Sequence, residues 1–177
     1  MSLKHAILVM LDKEPSSGYD LMKQFNSGLG YFWNAKHQQI YQQLKKLSED
    51  ALITCEEEPQ HGKPDKKVYR ITEKGQQVLK QWLHEPSVPA KINDALLVKI
   101  WGGHHLTPKA LLKDITEHKN RHTETLSSLR QLERAFHDLS DAEKMHYQLP
   151  FLTLRRGILG EEAWLKWAQE AENTLKK

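Results

Sequence analysis

The opening stretch sets apolar residues at helical spacing: Leu3, Ala6, Ile7, Met10 and Leu11 share one face of a helix that Pro15 stops. Ser16-Ser17-Gly18 reads as a turn, with a serine placed to cap a second helix over Gly18 to Asn26. Gly28-Leu29-Gly30 breaks that helix, Tyr31-Phe32-Trp33 forms an aromatic connection, and Asn34 is the N-cap expected of a third helix. Along it Ile40, Leu44, Leu47 and Ala51 recur at i, i+4, i+7 and i+11. The period then changes. Leu52 to Cys55 and Val68 to Ile71 have strand character, joined by a long hairpin loop from Glu56 to Lys67 that holds Pro59, Gly62 and Pro64. Thr72 caps a fourth helix with Val78, Leu79, Trp82 and Leu83 at helical spacing.

His84 to Pro89 is punctuated by two prolines and reads as a linker, which divides the chain into residues 1–86 and 91–177. The second part is patterned as helix throughout. Asn93 or Asp94 starts a short helix through Trp101, and Gly102-Gly103 ends it. Thr107 then caps a helix with Pro108 at its first position, unbroken to about Leu139. On it Ile115, His122, Leu129 and Phe136 stand seven apart, and from about Pro150 Phe151, Leu154, Ile158, Leu165 and Ala168 give a second heptad-like stripe. Two long amphipathic helices without a core of their own predict a partner subunit. Ile115, Leu129 and Phe136, opposite Phe151, Ile158 and Leu165, are the expected dimer seam.

The overall charge of +3 on 177 residues does not by itself point to nucleic acid. Residues 1–90 hold 12 Lys and Arg against 11 Asp and Glu, and the remainder 14 against 12. Any nucleic-acid signal is therefore local. A single cysteine excludes an internal disulfide and a cysteine-based zinc site. The seven-residue apolar stretch at the N-terminus is too short to span a membrane and precedes no cleavage motif, so a cytoplasmic protein without a membrane segment is expected.

Three helices followed by a two-stranded hairpin are the parts of a winged helix-turn-helix, mainly α with a small β hairpin. With Ile40, Leu44, Leu47 and Ala51 turned inward, Asn34, Gln38, Gln42, Lys45 and Glu49 lie roughly opposite, with Tyr41 and Lys46 on the flanks. Amide side chains bond adenine edges, and lysines reach phosphate or guanine. In the hairpin, Lys63, Lys66, Lys67 and Arg70 face only Asp65 between residues 61 and 70. A basic tip is shaped to reach a phosphate backbone or the minor groove beside the third helix. Glu56-Glu57-Glu58 opposes that reading unless it points away from DNA, and is expected at the solvent end of the first wing strand.

The stretches SSGYDLMKQF, FWNAKHQQIYQQLKKLSEDALI and GKPDKKVYRITEKGQQVLKQWL closely resemble the PadR family of transcriptional regulators over nearly all of residues 3–85. DALLVKIWGG and FLTLRRGILGEEAWLKW resemble the C-terminal helical domain of its virulence-activator-like branch. The resemblance implies a homodimer on double-stranded DNA with a near-palindromic operator. It places Tyr19 where the family contacts phosphate, Lys36, Gln38, Tyr41 and Lys45 on the recognition helix, and Lys66 and Lys67 on the wing. One departure stands out: many members carry a glycine just after the recognition helix, where this chain has Glu49-Asp50-Ala51. The corner is expected to differ slightly, with Asp50 tolerating a left-handed conformation.

Other chemistries fare worse. His118 and His122 stand i, i+4, but the intervening glutamate of a zinc-protease motif and a third ligand are missing, so no metal is expected. Cys55 reads as a small buried hydrophobe rather than a redox sensor. Trp101, Trp164 and Trp167 are either packing residues or the lining of a site for a small aromatic effector. No phosphate-binding glycine loop, serine elbow or paired-carboxylate motif supports an enzyme, and no cofactor is implied. A helical adaptor without DNA binding is the competing reading, and it leaves the basic wing and the glutamine-rich helix unexplained. Repression by occluding a promoter, or activation by touching polymerase, would use the same surface.

Overall fold

The computed structural model describes residues 3–27, 35–59, 66–89 and 93–176. They divide into two compact units, Met1–Ala90 and Lys91–Lys177. The first is a winged helix with a small antiparallel sheet, and the second is all helix. Among the described residues no helix is long and apolar enough to cross a membrane.

In the first unit α1 spans Leu3–Lys13, α2 Gly18–Ser27, α3 His37–Glu49 and α4 Glu73–His84. Three strands, β1 Ser16–Ser17, β2 Ile53–Glu58 and β3 Lys66–Ile71, pair in the order β1-β3-β2. The sheet thus has three strands where the sequence suggests two, because Ser16 and Ser17 pair with Tyr69 and Val68 instead of forming only a turn. The hairpin is also more regular than expected: β2 runs on to Glu58 and β3 begins at Lys66, in register Glu57↔Lys67 and Glu58↔Lys66. Apolar residues of α1, α2 and α3 make the core, with Ile7, Leu8, Leu21, Ile40, Leu44 and Leu47 fully buried. Cys55 is exposed on β2, which corrects its reading as a buried hydrophobe.

Helix α3 starts and stops differently from expectation. Its N-cap is Lys36, whose backbone N–H donates to Gln39 Oε1 at 2.9 Å, so the glutamine satisfies a donor that the helix leaves free. Asn34, the expected cap, lies outside the described residues. At the other end Asp50 is right-handed, and Ala51 takes the left-handed conformation at φ 56°. Ala51 N–H donates to Ser48 O at 3.0 Å and Leu52 N–H to Leu47 O at 2.9 Å, the two bonds of a Schellman ending. Ala51 is therefore an exposed corner residue and not part of the inward stripe.

In the second unit α5 spans Ala95–Trp101, α6 Pro108–His137, α7 Asp141–His146 and α8 Gln148–Leu175. Asp94, Thr107 and Ser140 accept from the backbone N–H of Leu96, Ala110 and Glu143 and so cap α5, α6 and α7. Each such cap contributes about 1 kcal/mol. The short α7 is absent from the sequence reading. Pro150 falls in the first turn of α8, where its missing N–H costs nothing.

Helices α6 and α8 pack along each other, and this pairing consumes the predicted dimer seam. Ile115, Leu129 and Ile158 are 0%, 1% and 0% exposed within one chain. Phe136 stacks on Phe151 of the same chain at 3.9 Å, and Leu165 is half-buried. The heptad stripes satisfy each other intramolecularly, so the three buried residues have no surface left for a second subunit. Ion pairs line this seam: Lys119 to Glu172 at 3.0 Å, Arg155 to Glu133 at 2.5 Å, and Arg130 to both Glu133 and Glu162.

Candidate nucleic-acid interface

Burial of Ile40, Leu44 and Leu47 turns the opposite face of α3 to solvent, and Gln38, Tyr41, Gln42 and Lys45 are all exposed there. Lys36 is exposed at the start of the helix. Tyr41 leans over the start of α2: a Cβ built on Gly18 would come within 2.8 Å of the Tyr41 ring. Only glycine admits the ring there. His37 tilts against Tyr41 from one turn earlier at 4.6 Å. Lys45 pairs loosely with Glu49 at 3.9 Å.

At the start of α2, Ser17 Oγ accepts from Asp20 N–H at 3.1 Å, which makes Ser17 the cap. The predicted phosphate-contacting residue Tyr19 is exposed, with Lys23 Nζ 4.8 Å from its ring centroid. Thus Tyr19, Lys36, Gln38, Tyr41, Gln42 and Lys45 sit on the helix-turn-helix with side chains open to solvent. Lys63 lies outside the described residues.

The wing is less basic than its sequence suggests. Lys67 pairs with Glu57 at 3.4 Å and Arg70 with Glu56 at 3.3 Å, both across the β2–β3 ladder. Glu56-Glu57-Glu58 therefore lies directly beside the lysines and offsets their charge. Lys66 is held by Asp20 at 2.9 Å, from a different element altogether. The Lys66 ammonium, then the Ser17 hydroxyl, holds the Asp20 carboxyl below the ordinary carboxylate range, and Asp20 raises Lys66 in turn. Asp20 escaped the sequence reading, although Ser17 and Asp20 show the three-residue spacing of a cap and its partner.

Within one chain the three tryptophans do not come together in the helical unit. Trp164 stacks on His122 at 3.7 Å and meets Trp167 edge-on at 5.5 Å, while Trp101 is 92% exposed and makes no ring contact with either. His122 Nδ1 lies 2.5 Å from Glu161 Oε2 and belongs to the α6–α8 seam within the chain. No cluster of three metal-ligating side chains occurs among the described residues.

Comparison with known proteins agrees with this architecture. Residues 7–81 match the Transcriptional regulator PadR-like family, and residues 92–176 match the Virulence activator alpha C-term family. A probable transcriptional regulator of Mycobacterium tuberculosis is 35% identical, covering 100% of this chain and 99% of that protein. The negative transcriptional regulator PadR of Bacillus subtilis is 33% identical over 94% of this chain and 93% of its own. The crystal structure of that Bacillus protein with operator DNA superposes with a TM-score of 0.81 at 31% identity, covering 98% of each chain. Its structure with p-coumaric acid gives a TM-score of 0.74 at 30% identity over 99% of each. With both halves matched in order and relatives aligned along nearly the whole length, this chain belongs to the PadR-like family of transcriptional regulators.

Proposed function

We propose that this protein is a sequence-specific repressor that works in the cytoplasm as a homodimer on a near-palindromic operator and is released by a small planar aromatic acid. The observation that carries the reading is the solvent-open face of α3, where Gln38, Tyr41, Gln42 and Lys45 stand clear of the core. Its full-length likeness to a protein crystallised on operator DNA supports the same use of that face. Gln38 and Gln42 are suited to base edges, and Lys36, Lys45 and Lys67 to phosphate. Repression follows the negative regulator of Bacillus subtilis.

Dimerisation is assigned to the apolar surface the helical unit leaves uncovered. Leu149, Leu152 and Leu159 of α8 are 73%, 59% and 53% exposed on one side of that helix. Three exposed leucines grouped on one side of a helix mark an interaction surface better than scattered single residues do. The aromatic acid is assigned to the neighbourhood of Trp164 and Trp167, whose rings meet edge-on at 5.5 Å, and the likeness to a relative crystallised with p-coumaric acid supports the class of ligand.

The test is fluorescence anisotropy with duplexes selected from genomic fragments, at two salt concentrations. The expected result is tight binding that falls steeply with salt, and Gln38→Ala losing about 1–3 kcal/mol on the selected duplex but not on random DNA. Equal losses on both would remove Gln38 from base readout. Absence of binding at low salt would favour an adaptor.

A further inference from the structure

We propose that Asp20 is a built-in competitor of the DNA backbone: in the free protein it occupies the Lys66 ammonium that phosphate would otherwise take, and so limits binding to DNA of any sequence. This rests on the DNA-binding reading above and adds to it a residue of the opposite charge.

The ion pairs of the wing differ in kind. Lys67 with Glu57 is solvent-exposed and formed within one hairpin, and pairs of that sort exchange readily for another anion. Lys66 with Asp20 joins β3 to the first turn of α2 at 2.9 Å, with both side chains roughly two-thirds covered. The Asp20 carboxylate is also fixed from behind. Ser17 Oγ donates to Asp20 Oδ2 at 2.7 Å while accepting from Asp20 N–H at 3.1 Å. Ser17 in turn is pinned by pairing with Val68 of β3, two residues along from Lys66. The carboxylate cannot swing away as a surface glutamate can.

Its position gives this fixed charge a consequence. The first turn of a helix favours an anion, through free backbone N–H groups and the aligned peptide dipoles. At α2 that place is filled by a group of the protein's own, next in the chain to Tyr19. A phosphate arriving there must displace Asp20 from Lys66 and then stand close to an uncompensated carboxylate. Binding through phosphate contacts, which dominates on random DNA, is weakened accordingly.

The experiment is a four-protein cycle of wild type, Asp20→Asn, Lys66→Ala and the double variant, measured on a random duplex across about 50–200 mM salt. Asparagine keeps the size and the hydrogen-bond acceptor but removes the charge. Asp20→Asn is expected to tighten binding about eightfold at about 0.1 M salt and to steepen the slope of log K against log salt by about 0.9, the share of one phosphate contact. In the Lys66→Ala background the same change should move affinity less than about twofold, because no ammonium is left to release. Ser17→Ala, which unpins the carboxylate and leaves its charge, should tighten binding about two- to threefold and serves if Asp20→Asn does not fold. Weaker binding by Asp20→Asn would overturn the proposal and make Asp20 a positioning residue for Lys66. An equal gain with and without Lys66 would overturn it too, in favour of unspecific charge removal. A wild type that binds no duplex at the lowest salt would take away the DNA-binding reading itself, whatever residue 20 does, and this proposal with it.

Discussion

The backbone N–H of Leu52 donates to the carbonyl of Leu47 at 2.9 Å, closing the recognition helix around an alanine at φ 56°. A glycine at such a corner would meet no steric penalty. Ala51 does, because its Cβ crowds the carbonyl that follows, at a cost of about 1–2 kcal/mol. Ala51→Gly is expected to raise the stability of the winged unit by about 1 kcal/mol, less than the full strain because glycine also loosens the unfolded chain. Urea unfolding followed by fluorescence reads the shift. A lower midpoint would mean that the alanine makes a favourable contact that outweighs its backbone strain.

Two glycines of this unit separate cheap crowding from costly crowding. A Cβ on Gly75 would lie 2.2 Å from the Leu52 carbonyl oxygen and 2.8 Å from Ile71 Cγ1. Backbone cannot step aside, so Gly75→Ala is expected to cost about 2–3 kcal/mol. Gly18→Ala meets only the end of the Tyr41 ring. That variant should lose under about 1 kcal/mol of stability while displacing Tyr41, seen as a change in its NMR ring signals. Similar losses from the two variants would contradict this assignment of neighbours.

The reassigned dimer surface makes a clean division among leucines. Leu152→Asp with Leu159→Asp should yield a helical monomer by sedimentation, since both side chains already face water. Leu129→Ala should instead destabilise the helical unit by about 2–5 kcal/mol, because the seam cannot close over the lost methyl groups. A dimer that survives the double aspartate change would move the interface elsewhere.

Acid should loosen both units by the same kind of linkage. Asp20 is held below its ordinary range by Lys66 and Ser17, and Glu133 by Arg130 and Arg155. A carboxyl lowered in the folded state contributes stability in full above its unfolded pKa and loses it as pH falls through the folded one. Stability should therefore be flat from neutral down to about pH 5 on account of these groups and fall below about pH 4. Asp20→Asn should shallow that fall for the winged unit alone. An identical acid profile for wild type and variant would deny Asp20 a share in it.

Most helices were legible in the sequence because their signals are local: Thr72 and Thr107 cap where the pattern places them, and Asp94 is one of the two caps it allows for α5. The β hairpin was legible from the change of period at Leu52. Helix α7 escaped despite the local capping box of Ser140 and Glu143, and the rest of what escaped depends on long-range pairing. Nothing near Ser16 and Ser17 announces that β3 will pair with them. Nor does the heptad spacing of Ile115 and Ile158 say whether the facing helix belongs to the same chain or another. The charge of the wing was misjudged for a related reason, since Asp20 is 46 residues away from Lys66 along the chain. Only the fold brings them to 2.9 Å.

The charged seam between α6 and α8 turns the helical unit into a stiff lever. Sliding either helix by one turn would part Lys119 from Glu172 and Arg155 from Glu133 together, so the pair resists shear and responds as one body. From His118 to Phe136 is about 27 Å at the rise of an α-helix. A ring inserted beside Trp164 that tilts the α6–α8 pair as a whole by only about 3° would then carry its Phe136 end sideways by roughly 1.5 Å. Such a frame converts a small local wedge into a displacement large enough to be felt by whatever is seated at the opposite end.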